Sequence, residues 1–196
     1  EKDQLKQRKL KMKILGIGNA IVDVICKVKE SFIEQNNLTK GTMKLIFDDK
    51  EFKTMLSNLK IEKTISGGSV ANSIVGLSQL GNKVGFIGKV SDDELGSKYE
   101  DGLKSENVEY FYSKKKEELP TGTCLILVTP DSERTMCTFL GTAGKINEND
   151  VNSDAIKKSE LIFLEGYLWD EGDPKKAFDK AINNAKKTAM SLSDLF

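Results

Sequence analysis

A chain of 196 residues with 38% hydrophobic side chains is long enough for one globular domain with an ordinary core. Lys plus Arg (30) balances Asp plus Glu (30), which excludes a long-range field toward nucleic acid or an anionic bilayer, and the absence of histidine excludes Ser-His-Asp and Cys-His catalysis. No apolar run approaches the roughly 20 residues of a membrane span, and charges fill the N-terminus where a signal peptide carries its hydrophobic stretch, so a cytoplasmic protein with neither nucleic-acid nor membrane partners is expected.

In chain order, the opening EKDQLKQRKLKMK carries many charges and few apolar side chains, so residues 1–12 read as a solvated extension with Met12 as the natural start. Strands are predicted at 14–18 and 20–28, then at 43–47, 62–65, 84–90, 108–112, 123–129, 134–140, 160–164 and 188–192. Helical spacing places Phe52, Met55, Leu56 and Leu59 on one face over 48–59, and a second helix over 69–80. A third is capped by Asp173, with Pro174 at its first position and Ala177, Phe178, Ala181, Ile182 and Ala185 along one side. TPDSERT, residues 129–135, has hairpin-turn chemistry. Cys26, Cys124 and Cys137 lack C-x-x-C spacing and read as reduced thiols in packed strands.

Strands alternating with helices predict an α/β fold, a mostly parallel sheet covered on both faces. Hairpin-like segments at 20–47 and 121–140 predict a smaller antiparallel sheet beside it. A strand at 188–192 followed by four residues points to a chain that stops inside a longer domain.

Two segments carry candidate chemistry. In GIGNAIVDV, residues 16–24, the strand period puts Asp23 on the face of Ile21 and Ile25. A carboxylate among apolar groups costs about several kcal/mol unless hydrogen-bonded, and ligand hydroxyls are one source of donors. The plainer alternative is an edge-strand aspartate facing solvent or a lysine. A dinucleotide site is the third, weakened by Ile21 where G-x-G-x-x-G needs glycine. In ISGGSVANSIVGLSQLG, residues 65–81, Gly67 and Gly68 end a strand, Ser69 caps a helix, and Asn72 lies one turn in on the same side. Hydroxyl, carboxamide and backbone N–H groups would converge there on a polyhydroxylated ligand, although a tight connection needs no ligand to explain it.

G-N-x-x-x-D at 18–23, G-G-S-x-x-N at 67–72, PTGTC at 120–124 and SERTM at 132–136 resemble, in order and spacing, the ribokinase or PfkB family, with the adenosine-kinase branch nearest. The resemblance runs from about Lys13 to Phe196 and implies a ribokinase-like α/β domain with a small β-sheet lid. It also implies that Asp23 accepts hydrogen bonds from sugar hydroxyls with Asn19 beside it, and that Gly67, Gly68, Ser69 and Asn72 complete the grip. Arg134 would face the transferring phosphate, and Cys124 and Tyr167 would wall the pocket. The implied parent is a kinase using ATP and Mg2+ on the primary hydroxyl of a nucleoside, adenosine first, or of a sugar. The family's second signature, a glycine-rich D-T-x-G-A-G-D segment that supplies the anion hole and aspartate base, is not in these 196 residues, nor is a P-loop. None of Asp92, Asp93, Asp170 or Asp173 sits in such a glycine nest, so the chain alone is expected to be inactive. The rival expectations are a non-enzymatic sugar or nucleoside binder and a Rossmann-type cofactor domain.

Overall fold

The computed structural model describes residues 12–169 and 171–193, so the expected extension up to residue 11, and Asp170, lie outside the described residues. Met12, read as part of that extension, is buried in the core.

Two five-stranded sheets form the frame. The first has the order β10-β9-β1-β5-β6, from β1 (Ile14–Ile17), β5 (Val84–Ile87), β6 (Val108–Tyr110), β9 (Leu161–Glu165) and β10 (Thr188–Ser191). All its pairings are parallel. The expected covered parallel sheet is therefore present, and its central strands β1 and β5 are apolar almost throughout because helices lie on both faces.

On one face lie α3 (Ser69–Gln79) and α4 (Glu94–Ser105), whose Val70, Ala71, Ile74, Tyr99 and Leu103 enter the larger core. Gly16 sits under α3 where a Cβ would stand 2.6 Å from Ile74 Cγ1, so only glycine lets the helix lie that close to β1. On the other face, α5 (Ser153–Lys158) and α6 (Asp173–Asn184) bury Ala155, Ile156, Ala177, Phe178 and Ala181 in a second cluster. Asp173 is the first residue of α6, and Gly172, at φ 101°, takes the cap position expected of it.

The second sheet has the order β3-β8-β7-β2-β4, from β2 (Ile21–Lys27), β3 (Met43–Leu45), β4 (Ile61–Gly67), β7 (Gly122–Val128) and β8 (Arg134–Phe139). The hairpin expected within 121–140 is β7 and β8 joined by the turn at 129–133, where Asp131 accepts from Thr129 Oγ1 and the Glu133 amide. The segment 20–47 is not a hairpin. Its two strands do not pair; β3 instead runs parallel to β8, after a crossover through the unpredicted helix α1 (Glu30–Gln35). Because β2 also runs parallel to β7, the sheet is mixed rather than antiparallel. Its inner face, including Val24, Leu125 and Phe139, is covered by α1 and α2 (Asp49–Ser57), with Phe52 stacked 5.5 Å from Phe139.

Candidate functional site

In the first sheet, strand order reverses about β1: β5 and β6 follow on one side, β9 and β10 on the other. Ligands of open α/β sheets bind outside the carboxyl ends of the strands at such a switch point. The chain leaves β1 there through Gly18 and Asn19, and β9 ends there at Glu165.

Asp23 reaches this edge from the second sheet, where it stands between Ile65 on β4 and Cys124 on β7, with Thr138 beyond Cys124. It is on the face of Ile21 and Ile25, as the period predicts, but on an inner strand and not at the sheet edge. Its carboxylate lies over the bare Cα of Gly67, where an added Cβ would come within 2.6 Å of Asp23 Cγ. No hydrogen bond or ion pair joins this half-buried carboxylate to a described residue, and burial alone pushes its pKa up to about 6. The lysine partner of the plainer reading is absent among the described residues.

Gly67 and Gly68 fix the other wall. Gly68 holds φ 105° and ψ 139°, and an added Cβ there would overlap the carbonyl oxygen of Asn19. Gly68 therefore takes the cap position of α3, and Ser69, expected to cap, is the helix's first residue and makes no capping bond. Ser69 and Asn72 are exposed on the first turn, with the Asn72 N–H donating to the Gly68 carbonyl (2.9 Å). Tyr99 clamps this corner from α4 by donating its hydroxyl to the Gly67 carbonyl (3.1 Å).

Asn19 is 2% exposed and donates Nδ2 to Glu165 Oε1 (2.8 Å), while Glu165 Oε2 accepts the Val70 N–H (3.1 Å). The Asn19 Oδ1 is buried without a partner. Burial raises the Glu165 pKa, and the donors from Val70 and Asn19 partly offset this. Glu165 escaped the sequence reading; the signal available was an acidic residue closing an otherwise apolar strand, LIFLE.

Cys124 adjoins Asp23, and its thiol accepts from Thr138 Oγ1 (3.2 Å); burial pushes its pKa up to about 12, which makes it an inert wall. Arg134 is exposed at the start of β8 and has no ion pair among the described residues, Glu133 included. It lies four residues from Thr138, about 13 Å along the strand, so the structure does not bring it beside Asp23. Tyr167 is exposed in the 3-10 turn after β9, two residues past Glu165.

The face carrying Asp23 continues as an apolar surface of Ile25, Ile126, Met136, Met43 and Leu45, all only partly buried apart from the exposed Met136. A single unpaired carboxylate at the margin of an apolar shelf suits a ligand with hydroxyl donors at one end and a flat apolar body at the other.

A family model described as "pfkB family carbohydrate kinase" matches residues 13–195. The chain belongs to this family. The pfkB-family chain superposes on a crystal structure of adenosine kinase from Sinorhizobium meliloti with TM-score 0.84 and 37% identity, covering 94% of this chain and 57% of that one. It superposes on a probable sugar kinase from Rhizobium etli CFN 42 with TM-score 0.83 and 33% identity, again covering 94% and 57%. Among curated proteins, a 5-dehydro-2-deoxygluconokinase of Mesomycoplasma hyopneumoniae (strain 7448) is 26% identical over 154 residues, 78% of this chain and 46% of that protein. The chain thus spans about half the length of the curated relatives it matches.

Among the described residues no group of three or more His, Cys, Asp or Glu could hold a metal ion, and the one arginine considered for phosphate stands apart from Asp23. No helix is long and apolar enough to cross a membrane among the described residues.

The Gly68 geometry yields a direct expectation. Gly68→Ala places a side chain at a positive φ and against a carbonyl oxygen, which costs about 2–3 kcal/mol and lowers Tm by about 4–12 °C at this chain length. Gly76→Ala, in the same helix with nothing within 4 Å of the added Cβ, is expected to raise Tm slightly. Thermal denaturation of both variants checks the contrast.

Proposed function

We propose that this chain is the substrate-binding half of an ATP-dependent kinase that phosphorylates the primary hydroxyl of a nucleoside, adenosine first. The observation that carries the reading is the Asp23 carboxylate, half-buried without a donor and lying over the bare Cα of Gly67, next to the glycine corner at Gly68. Both oxygens of a carboxylate accept hydrogen bonds, so Asp23 calls for adjacent donor hydroxyls, which a ribose presents. The apolar shelf next to them favours a nucleoside over a free sugar, because a base would bury area that a sugar alone would leave wet.

In this reading Asp23 and Asn19 orient the ribose, Gly67 and Gly68 let it approach the backbone, and Ser69 and Asn72 reach it from the first turn of α3. Cys124 walls the site, with Tyr167 at its mouth. Arg134 would offset charge on the transferring phosphate once brought over it. ATP, Mg2+ and the aspartate base belong to the remainder of the proposed enzyme, a cytoplasmic one with no nucleic-acid or membrane partner.

A second reading, a sugar as substrate, is supported by the relatives named as 5-dehydro-2-deoxygluconokinase and probable sugar kinase. Calorimetric titration with adenosine, ribose and fructose separates the two, with adenosine expected to bind most tightly. ADP release is expected only from a chain continued by the downstream reading frame. Turnover by these 196 residues alone, or binding of none of the three ligands, would overturn the proposal.

A further inference from the structure

We infer that Tyr99 is a positioning residue for Asp23: from α4 it pins the Gly67 corner against which that carboxylate lies. This rests on the proposed hydroxyl-binding role of Asp23.

Asp23 forms no hydrogen bond or ion pair with a described residue, so nothing of its own fixes where its carboxylate stands. Its place is set by the strands on either side of β2, with Ile65 of β4 opposite it on one flank and Cys124 of β7 on the other. Both strands are tied to α4 where they join the rest of the chain. At the end of β4, the Tyr99 hydroxyl donates to the Gly67 carbonyl (3.1 Å) and the Tyr99 carbonyl accepts from Ser66 Oγ (3.0 Å), so one residue grips two consecutive positions. Just ahead of β7, Asp93 accepts the Thr121 N–H (2.9 Å) and hydroxyl (2.7 Å) while capping α4 through the Gly96 N–H (2.7 Å).

The sequence of α4 makes room for this double hold. Gly96, Tyr99 and Gly102 follow at intervals of three and share a side of the helix. A Cβ on Gly96 would stand 3.0 Å from Thr121 Oγ1, and one on Gly102 would overlap Ser66 Oγ, so a side chain at either position would push α4 off the connection it holds. The Tyr99 ring is fully buried beside Phe86 (6.3 Å) and Tyr110 (6.0 Å). Burial, with Tyr110, Glu165 and Asp23 adding, holds its hydroxyl well above the ordinary tyrosine range, so it stays a donor on a fixed ring.

Tyr99→Phe keeps the ring and removes the hydroxyl. The Gly67 peptide is then released on that side, water reaches the carboxylate lying over it, and the Asp23 pKa is expected to fall from about 6 toward 3.8. The other ionisable groups about Asp23 are the Cys124 thiol on β7, the Tyr99 phenol itself and Lys63, which stands opposite Ile25 on β4. The thiol and the phenol are held neutral by burial, so the shift reports the solvation of Asp23. Adenosine binding at neutral pH is expected to weaken about three- to tenfold, because the corner must re-form around the ligand. Tyr110→Phe is the matched control. It removes a hydroxyl bonded to the Gly88 carbonyl (2.6 Å), a glycine whose nearest neighbours are Phe86, Gly18 and Ala20. It should lower Tm comparably and leave both the Asp23 titration and the affinity as they were. A tyrosine that merely holds the fold predicts the same behaviour from both variants.

The test is nuclear magnetic resonance titration of the Asp23 carboxyl carbon in the ligand-free wild-type chain and both variants, assigned against Asp23→Asn, with calorimetric titration of adenosine alongside. A lowered Asp23 pKa with weaker binding in Tyr99→Phe, and neither in Tyr110→Phe, supports the positioning role. An unchanged Asp23 titration or unchanged affinity in Tyr99→Phe, or an equal shift in Tyr110→Phe, would overturn it. If the wild type binds no adenosine, the proposed function fails, and the ligand-free titration still decides the role of Tyr99. Should Tyr99→Phe not fold, Ser66→Ala, which frees the other half of the grip, takes its place, and an Asp23 titration like that of the wild type again rules the role out.

Discussion

Asp23→Asn is expected to weaken adenosine binding by about two to three orders of magnitude and, at the same time, to make the free chain more stable at neutral pH. The first half follows from the strength of hydrogen bonds to a charged acceptor, about 1.5–3 kcal/mol each; two ribose hydroxyls on one carboxylate supply about 3–6 kcal/mol, and the amide, which still accepts one bond, forfeits about 3–4 kcal/mol of it, or two to three orders of magnitude at about 1.4 kcal/mol per decade.

The second half follows from burial without a partner. The Asp23 carboxyl rises from its ordinary 3.8 to about 6 because desolvation penalises the charged form. Below about pH 4 it is protonated in both folded and unfolded chains, and its contribution to stability is intact. As the pH rises through about 6 the folded chain must ionise a buried group, and about 3 kcal/mol of that contribution is lost. The Asp23→Asn chain has no proton to lose, so its Tm should exceed that of the wild type by about 6–12 °C at pH 7.5, with the gap closing toward pH 4. Affinity for a hydroxyl ligand runs oppositely. Donors favour the carboxylate, so binding should fall about tenfold per pH unit below about 6 and release a proton there. Thermal denaturation and titration calorimetry at pH 4, 5, 6 and 7.5 test both halves. Equal Tm values at pH 7.5, or binding that does not weaken in acid, would contradict the account.

Asp150→Ala is expected to be the most destabilising single change away from the site. Lys89, 4% exposed, lies at the carboxyl end of β5 with Nζ 3.1 Å from Asp150 Oδ2 and 3.3 Å from Glu117 Oε1. Asp150 also accepts the Asn147 N–H (3.0 Å), and Glu117 accepts the Tyr112 hydroxyl (3.0 Å). Removing Asp150 leaves a buried ammonium with half its compensation and an amide with none, which costs about 3–5 kcal/mol. At this size the fall in Tm is about 6–20 °C. Urea midpoints report it, and Lys115→Ala, which removes the more exposed member of the cluster, should change little. A shift below about 1 kcal/mol for Asp150→Ala would mean that Lys89 finds water or another acid.

Much of the frame was legible because local chemistry and tertiary demand agreed. The strands β1, β5, β7 and β9 are largely apolar by residue type alone, Asp131 and Pro130 announce the hairpin turn that leads into β8, and α3 repeats Val70, Ala71 and Ile74 at helical spacing. The failures share a cause. α4 was hidden because Gly96 and Gly102 dilute its pattern, yet both glycines answer to close neighbours outside the helix: a Cβ on Gly96 would overlap the Ser91 carbonyl just before it, and one on Gly102 would overlap Ser66 Oγ on β4, far away in sequence. α1 and α5 are six residues each, too short to show a period.

The same division holds at the site. Asp23 and the two glycines stand out in one short window each, so they could be named in advance. Glu165 gains its meaning from Asn19, 146 residues earlier, and the acidic end of LIFLE is its one local mark. Ser69 was favoured as a cap by its side chain, whereas the backbone at Gly68 adopts a conformation only glycine tolerates, and the backbone decided.

The span of that last contact bears on biosynthesis. Asn19 is synthesised 146 residues before Glu165, the residue that anchors its side chain. Until then the Asn19 amide and the first turn of α3 lack the carboxylate that joins them, and a nucleoside in the cell has no finished cradle to stabilise. Ligand could therefore act as a folding aid only after Glu165 has joined β9 to β1.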